Sequence, residues 1–171
     1  MSHKDVNSQN RNERRGGRGL LVPAAIAGLI LAACGGNGDG VGEPGPGEIG
    51  IRLQEWAVVP SESSAAAGEI TFRIENVGEE THEFVVIRTD LSVLDLPTEE
   101  DGSVNESAVN ESAEGVEVVG EVEDVPAGGS AELTVTLESG HYALICNVVE
   151  EEDGETESHF QMGMRTDFEA E

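Results

Sequence analysis

Beyond residue 48, the pattern of apolar and polar positions is that of short β-strands separated by turns. Apolar residues alternate with polar ones or form brief β-branched runs, and no stretch has the period of an amphipathic helix. Turn residues, such as the Gly128-Gly129 pair, separate these runs. The predicted strands are residues 49–59, 69–77, 83–88, 116–122, 131–137, 142–148 and 159–168. About seven to eight short strands within about 120 residues predict an all-β Greek-key β-sandwich.

Residues 90–115 do not follow the strand pattern. They are polar and acidic, and they contain a duplicated Val-Asn-Glu-Ser-Ala sequence at 104–108 and 109–113. Such a segment offers few apolar residues to a sandwich core. We therefore expect a single domain at residues 49–171 that carries an exposed acidic excursion at about residues 90–115.

The first 33 residues have the texture of an export signal. A basic start precedes an apolar stretch, Leu20–Ala33, that is too short to span a bilayer comfortably. The sequence Leu-Ala-Ala-Cys at residues 31–34 resembles the lipobox of prokaryotic lipoproteins. The resemblance implies that residues 1–33 are a lipoprotein signal peptide and that Cys34 becomes a lipidated N-terminus. The alternative is an ordinary signal peptide or a short membrane anchor in which Cys34 is incidental.

Residues 34–48 are rich in Gly and Pro and show no apolar periodicity, which is typical of a flexible tether. One lipid chain binds a membrane only marginally, so stable anchoring would need the two or three chains of a lipoprotein cysteine. We therefore expect an exported protein that is anchored by lipid to the outer face of the cell membrane.

The chain after the lipobox is strongly acidic. It has 33 acidic and four basic residues from Cys34 onward, a formal net charge of −29, and it contains no lysine. Such a surface repels nucleic acid and favours a basic partner. Adaptation to high salt and simple solvation of a loop-rich surface are the competing explanations.

The cysteine content restricts the chemistry further. The chain has two cysteines, Cys34 and Cys146, so a lipidated Cys34 leaves Cys146 without a disulfide partner. A free thiol in an oxidising compartment is vulnerable to oxidation. Cys146 is therefore either buried and inert or bound to a metal.

Three separated motifs carry metal-binding residue types. An Asn-x-Gly turn precedes His82, a Tyr-x-Leu-x-Cys strand ends in Cys146, and a His-x4-Met motif runs from His159 to Met164. In this order the motifs resemble the cupredoxin family, as plastocyanin-like or halocyanin-like blue copper proteins, over residues from about 49 to 169. The resemblance implies a cupredoxin sandwich with one type 1 copper ion, bound by His82, Cys146 and His159 with Met164 as the axial ligand.

The ligand chemistry supports this interpretation. Two imidazoles and a thiolate suit both copper oxidation states, and a long axial thioether tunes the potential. Met162 is the rival to Met164 for the axial position. The family resemblance gives Asn147 the role of tying the ligand loop to the strand that bears His82. We assign no role to His141.

The ligand loop departs from the family. Twelve residues, several of them acidic, separate Cys146 from His159, whereas many cupredoxins have a much shorter loop. This loop could expose the site, lower its potential, or dock a basic redox partner.

The sequence predicts an electron carrier and not an enzyme. It has no phosphate-binding Gly-rich loop, nucleophile elbow or zinc-protease motif, and ligands for one copper only. We expect redox partner proteins with a basic docking patch, besides the membrane contact of the lipid anchor. The alternatives are a copper-binding or copper-delivery lipoprotein and a metal-free cupredoxin-like interaction module.

Overall fold

The computed structural model describes residue 45 and residues 47–106, 117–152 and 154–171. The strands are β1 (Glu48–Gln54), β2 (Ala57–Pro60), β3 (Ser64–Ala65), β4 (Gly68–Asn76), β5 (His82–Arg88), β6 (Glu117–Val125), β7 (Ser130–Leu137), β8 (Gly140–Ile145), β9 (Val149–Glu152), β10 (Glu155–Ser158) and β11 (Arg165–Ala170). Helical segments in the described part of the chain include a 3-10 helix at Val93–Asp95 and helix α1 at His159–Met162.

Two sheets form a sandwich. The first has the strand order β2-β1-β4-β7 and the second β3-β11-β8-β5-β6, while β9 and β10 form a separate antiparallel hairpin. Neighbouring strands are antiparallel except in the β1/β4 and β3/β11 pairs, which are parallel. The predicted all-β sandwich is confirmed, and the seven strands with six or more residues all lie in these two sheets.

Alternating residues of both sheets fill the space between them. On β4, every second side chain from Ile70 to Asn76 is buried. The ring of Phe72 on this strand packs edge-on against Phe84 of β5 at 5.3 Å and Phe168 of β11 at 5.9 Å, measured between ring centroids. These rings join the two sheets.

The central strands of the second sheet are buried on both faces. Phe84 and Val86 of β5 point into the core between the sheets, whereas Val85 and Ile87 point away from it. A second apolar cluster covers that outer face. It consists of Val85, Ile87, Val93, Leu96, Val104, Ala143, Ile145 and Phe160. Burial on both faces explains why β5 reads as a continuous apolar run and not as an alternation.

The described part of the acidic excursion, residues 90–106, is only partly exposed, which corrects the prediction of an exposed segment. Val93, Leu96 and Val104 are buried because they cover the outer face of the second sheet. The 3-10 helix and a bridge between Thr98 and Val104 shape this cover. The second copy of the duplicated pentapeptide lies outside the described residues.

Several predicted element boundaries were wrong; the strand predicted at 116–122, for example, ends only at Val125. The strand predicted at 49–59 is a hairpin, with β1 and β2 joined by Glu55 and Trp56. The strand predicted from residue 159 begins only at Arg165, because the Ser158 hydroxyl accepts a hydrogen bond from the Gln161 N–H and caps α1. The strand predicted at 142–148 ends at Ile145.

The long ligand loop is folded into the hairpin of β9 and β10, which the sequence did not predict. The predicted signal peptide, Cys34 and most of the predicted tether lie outside the described residues. No helix in the described part of the chain is long and apolar enough to cross a membrane.

Candidate metal centre

Three of the four predicted ligands meet at one end of the sandwich. His82 opens β5, Cys146 directly follows β8, and His159 opens α1. The two Nδ1 atoms of the histidines are 3.2 Å apart, and the Cys146 Sγ is 3.5 Å from the His159 Nδ1. One donor atom from each residue lies within 4.8 Å of the others.

These distances fit the coordination of one ion. Ligand atoms at about 2.0 Å for nitrogen and about 2.3 Å for sulfur, the lengths in protein zinc sites, are about 3.5 Å apart in a trigonal plane. The donor set of two imidazoles and one thiol is the equatorial set of a type 1 copper site. His82, Cys146 and His159 would therefore hold such an ion without a large movement.

All three side chains are withdrawn from water. His82 and Cys146 are fully buried, and His159 is 1% exposed. Burial lowers the pKa of His82 and, with repulsion from the neighbouring imidazole, the pKa of His159. Burial raises the pKa of the Cys146 thiol to about 11. In the metal-free protein at neutral pH, the imidazoles are therefore neutral and the thiol is protonated.

Backbone contacts position the thiol. The Glu83 N–H donates a hydrogen bond to the Cys146 Sγ at 3.3 Å, and the Cys146 N–H donates to the Met164 carbonyl at 2.9 Å. The first contact links the strand of His82 to the sulfur. The second links the cysteine to the backbone of the predicted axial residue.

Asn76 organises the turn before His82. Its fully buried side chain donates to the carbonyls of Glu80 at 2.7 Å and Val125 at 2.8 Å, and it accepts a bond from the Gly78 N–H at 2.9 Å. The Asn76 side chain thus gives a hydrogen-bond partner to two backbone carbonyls and one backbone N–H. The Asn-x-Gly motif thus fixes the approach of the chain to the first ligand.

Two residues that the sequence did not single out contact the imidazoles from the β1–β2 turn. The Glu55 carboxylate lies 3.1 Å from the His82 Nε2, and the Trp56 ring packs edge-on against His159 at a centroid distance of 5.2 Å. Burial acts to raise the pKa of Glu55, but backbone N–H donors and the nearby imidazole lower it overall. No local sequence motif marks Glu55 and Trp56. They reach the imidazoles only because the β1–β2 turn of the first sheet packs beside the second sheet.

The two candidate axial methionines differ in burial. Met164 is fully buried in the same apolar cluster as Cys146, whereas Met162 is 46% exposed on α1. A thioether must leave water to approach the buried donor atoms. Burial therefore favours Met164 as the axial ligand.

The comparisons with solved structures identify the fold. Auracyanin from the photosynthetic bacterium Roseiflexus castenholzii, in a dithionite-reduced form, matches with a TM-score of 0.50 and 19% identity, over 73% of this chain and 97% of that chain. This chain has the cupredoxin fold. The Az-iso2 azurin of Methylomonas sp. strain J matches this cupredoxin domain with a TM-score of 0.46 and 17% identity, over 72% and 97% of the two chains. Reduced rusticyanin matches with a TM-score of 0.46 and 14% identity, over 79% and 89%. No family model and no curated protein match the sequence.

Asn147 contacts three residues near the site in this cupredoxin domain. Its backbone N–H bonds to the Glu83 carboxylate, which belongs to the strand of His82. Its side chain instead bonds to the N–H of Val104 at 2.6 Å, to the carbonyl of Val104 at 3.0 Å and to the Glu106 carboxylate at 2.8 Å. The side chain therefore ties the ligand loop to the excursion.

His141 lies away from the donor atoms, at the edge shared by β8 and β11. Its Nδ1 is 2.8 Å from the Thr89 carbonyl and its Nε2 is 3.0 Å from the Asp167 carboxylate. These contacts give it a structural role in holding the strands and loops of this edge together.

An acidic cluster lies beside the centre. The carboxylates of Glu83, Glu106 and Glu121 place one oxygen each within 4.8 Å of one another. Burial raises the pKa of Glu83 to about 7, and repulsion from Glu106, Glu121 and Glu123 contributes. Glu83 is therefore partly protonated at neutral pH, next in sequence to His82.

Proposed function

We propose that this protein is a type 1 copper protein that carries electrons outside the cytoplasm. The observation that supports it most directly is the convergence of buried His82, Cys146 and His159 at one end of a cupredoxin sandwich. Bound copper would supply one-electron exchange between Cu(II) and Cu(I). A neighbour of the same fold, auracyanin, has been obtained in a dithionite-reduced form, which is consistent with redox activity in this fold.

The protein's own contribution is a site whose ligands are held before the metal binds. Hydrogen bonds from the Glu83 N–H to the Cys146 Sγ and from the Cys146 N–H to the Met164 carbonyl link strands of one sheet. The His159 N–H donates to the Val148 carbonyl at 3.0 Å, which anchors the third ligand. A preorganised site changes little between oxidation states, which favours fast electron transfer.

Burial of the ligands favours an electron carrier over a copper-delivery protein. Delivery by ligand exchange requires that the acceptor's donor atoms reach the metal. His82, Cys146 and His159 are all 1% exposed or less, so an acceptor protein has no direct access to these side chains. An electron, in contrast, can pass through a thin protein layer.

The proposed location and partner are supported by features of the sequence. We propose that Cys34 carries the lipid anchor and that the acidic surface meets a basic patch on a redox partner. We propose that the β9–β10 hairpin, which lies in the loop between Cys146 and His159, is part of the surface that meets the partner. Its exposed residue Glu150 is close enough for its charge to act on both imidazoles and on the thiol.

The copper site is tested by visible spectroscopy of the purified full-length protein with added Cu(II). The expected result is an intense thiolate-to-copper band that Cys146→Ser abolishes. The matched control is Cys34→Ser, which changes the other cysteine of the chain and should keep the band. A wild-type protein without the band would contradict the proposal.

Electron transfer and anchoring need separate measurements. A carrier should show a reversible one-electron wave in voltammetry while a competing chelator fails to remove the metal. Rapid loss of copper to the chelator would favour delivery instead. For anchoring, wild type should fractionate with membranes and Cys34→Ser should appear in the soluble exported fraction; equal fractionation would refute the anchor.

A further inference from the structure

The Glu55 carboxylate occupies the outer side of the His82 ring. Its Oε1 atom lies 3.1 Å from the His82 Nε2, and the same oxygen accepts hydrogen bonds from the backbone N–H groups of Glu79 at 2.9 Å and Glu80 at 3.0 Å. An oxygen that already accepts two N–H groups is an acceptor towards the imidazole as well. The His82 Nε2 must therefore be the donor.

The chain makes room for this carboxylate at Gly78. A Cβ atom on Gly78 would lie 2.3 Å from the Oε1 and 2.7 Å from the Oε2 of Glu55, closer than real Cβ contacts allow. Only glycine permits this approach without a shift of the carboxylate. The turn before His82 and the β1–β2 turn are thus fitted to each other, although they belong to different strands of the sandwich.

The contact fixes which nitrogen of His82 is free. A neutral imidazole carries one proton, and a hydrogen bond from Nε2–H leaves Nδ1 with its lone pair. That Nδ1 is the atom 3.2 Å from the His159 Nδ1, inside the group of donor atoms. A partner on the far nitrogen is the usual way in which proteins orient a ligating histidine.

We propose that Glu55 is a positioning residue for His82, which holds the ring as the Nε2–H tautomer and, through its negative charge, lowers the reduction potential of the site. The inference rests on the proposed copper function for its second part only. The carboxylate side chain is 25% exposed and the imidazole is fully buried, so solvent and salt screen their interaction incompletely. A negative charge at this place stabilises the more positive Cu(II) state relative to Cu(I).

Two substitutions separate the hydrogen bond from the charge. Glu55→Gln keeps an acceptor oxygen at the position of Oε1, where all three contacts are made, but removes the charge. Glu55→Ala removes both. Glu79→Gln is the matched control, because it removes the same charge from an exposed side chain in the turn before His82.

The first measurement is the imidazole tautomer, read from nitrogen-15 chemical shifts in the full-length metal-free protein. The wild type and Glu55→Gln should show His82 as the Nε2–H form, and Glu55→Ala should show a mixture with the Nδ1–H form. A wild-type His82 in the Nδ1–H form, or a tautomer unchanged in Glu55→Ala, would overturn the proposal. This measurement needs no copper, so it is decisive even if the proposed function fails.

The second measurement is the reduction potential of the copper-loaded protein. Both Glu55 variants should favour Cu(I) over Cu(II) by about tenfold more than wild type, a rise of about 59 mV for one electron. Glu79→Gln should change the potential by much less. If Glu55→Gln shifts the potential no more than Glu79→Gln does, the proposed charge effect is wrong while the copper function stands. The Gln variant is sufficient for this comparison if Glu55→Ala does not fold.

Discussion

The acidic cluster beside the metal centre gives a stability prediction with a defined pH dependence. Glu83 is partly buried on β5, and its carboxylate has an oxygen within 4.8 Å of those of Glu106 and Glu121. Two unit charges at this separation repel by about 1 to 3.5 kcal/mol for effective dielectric constants between about 80 and 20. Replacing Glu83 with Gln removes the charge and keeps an acceptor for the Asn147 N–H. We expect Glu83→Gln to stabilise the metal-free protein at pH 8.

The direction follows from proton linkage. Burial and repulsion raise the pKa of Glu83 from 4.5 to about 7, so between these pH values the folded protein holds a proton that the unfolded chain releases. The corresponding stability is fully present below pH 4.5 and is lost as the pH rises to about 7. At 1.36 kcal/mol for each pKa unit the loss would be about 3 kcal/mol. Since the side chain is partly exposed, solvent screening reduces this to about 1–2 kcal/mol.

The assay is urea unfolding of the metal-free protein at low salt, at pH 5 and at pH 8. Glu83→Gln should gain about 1–2 kcal/mol over wild type at pH 8 and clearly less at pH 5. Glu62→Gln is the control, since it removes an exposed carboxylate and should show no such pH dependence. An equal gain at both pH values, or a loss of stability at pH 8, would refute the reasoning.

Three further predictions concern the centre and its support. Asn76→Ala should lower the free energy of unfolding by about 2–4 kcal/mol in urea titrations, because three backbone groups lose their partner. Trp56 is the chain's single tryptophan and packs on His159, so Cu(II) binding should quench most of the intrinsic fluorescence. The apparent copper affinity in chelator competition should rise about tenfold per pH unit from pH 7 towards pH 10, since binding displaces the proton of Cys146.

Each of these predictions has an outcome that excludes it. A destabilisation of Asn76→Ala below about 1 kcal/mol, the value of a single replaceable hydrogen bond, would mean that the turn is held by other contacts. Quenching that persists when His82, Cys146 and His159 are all replaced would place the copper outside the proposed site. A pH-independent affinity would mean that no proton leaves the thiol, and hence that Cys146 is not a ligand.

The strands of the sandwich follow from local patterns, with errors that have physical causes. The alternation on β4 predicts its buried face, and β5 reads as a continuous apolar run because both of its faces are covered. The sequence predicts the β1–β2 hairpin as one strand, because glutamate and tryptophan, which form its turn at Glu55 and Trp56, are not residue types typical of turns. The order of strands in each sheet, and the cover that Leu96 gives to the second sheet, depend on contacts between distant segments.

The sequence by itself determined the candidate ligands. A free cysteine, two histidines and a methionine lie in three separate motifs, and few kinds of site use this combination of residues. Only the tertiary structure decided what surrounds them. His82 and Glu55 are 27 residues apart on different sheets, and their contact exists only because the two sheets pack and Gly78 leaves room. Burial likewise favours Met164 over Met162, and it results from packing that no local sequence feature encodes. Residue identity therefore specifies the donor atoms, while packing specifies their protonation and their environment.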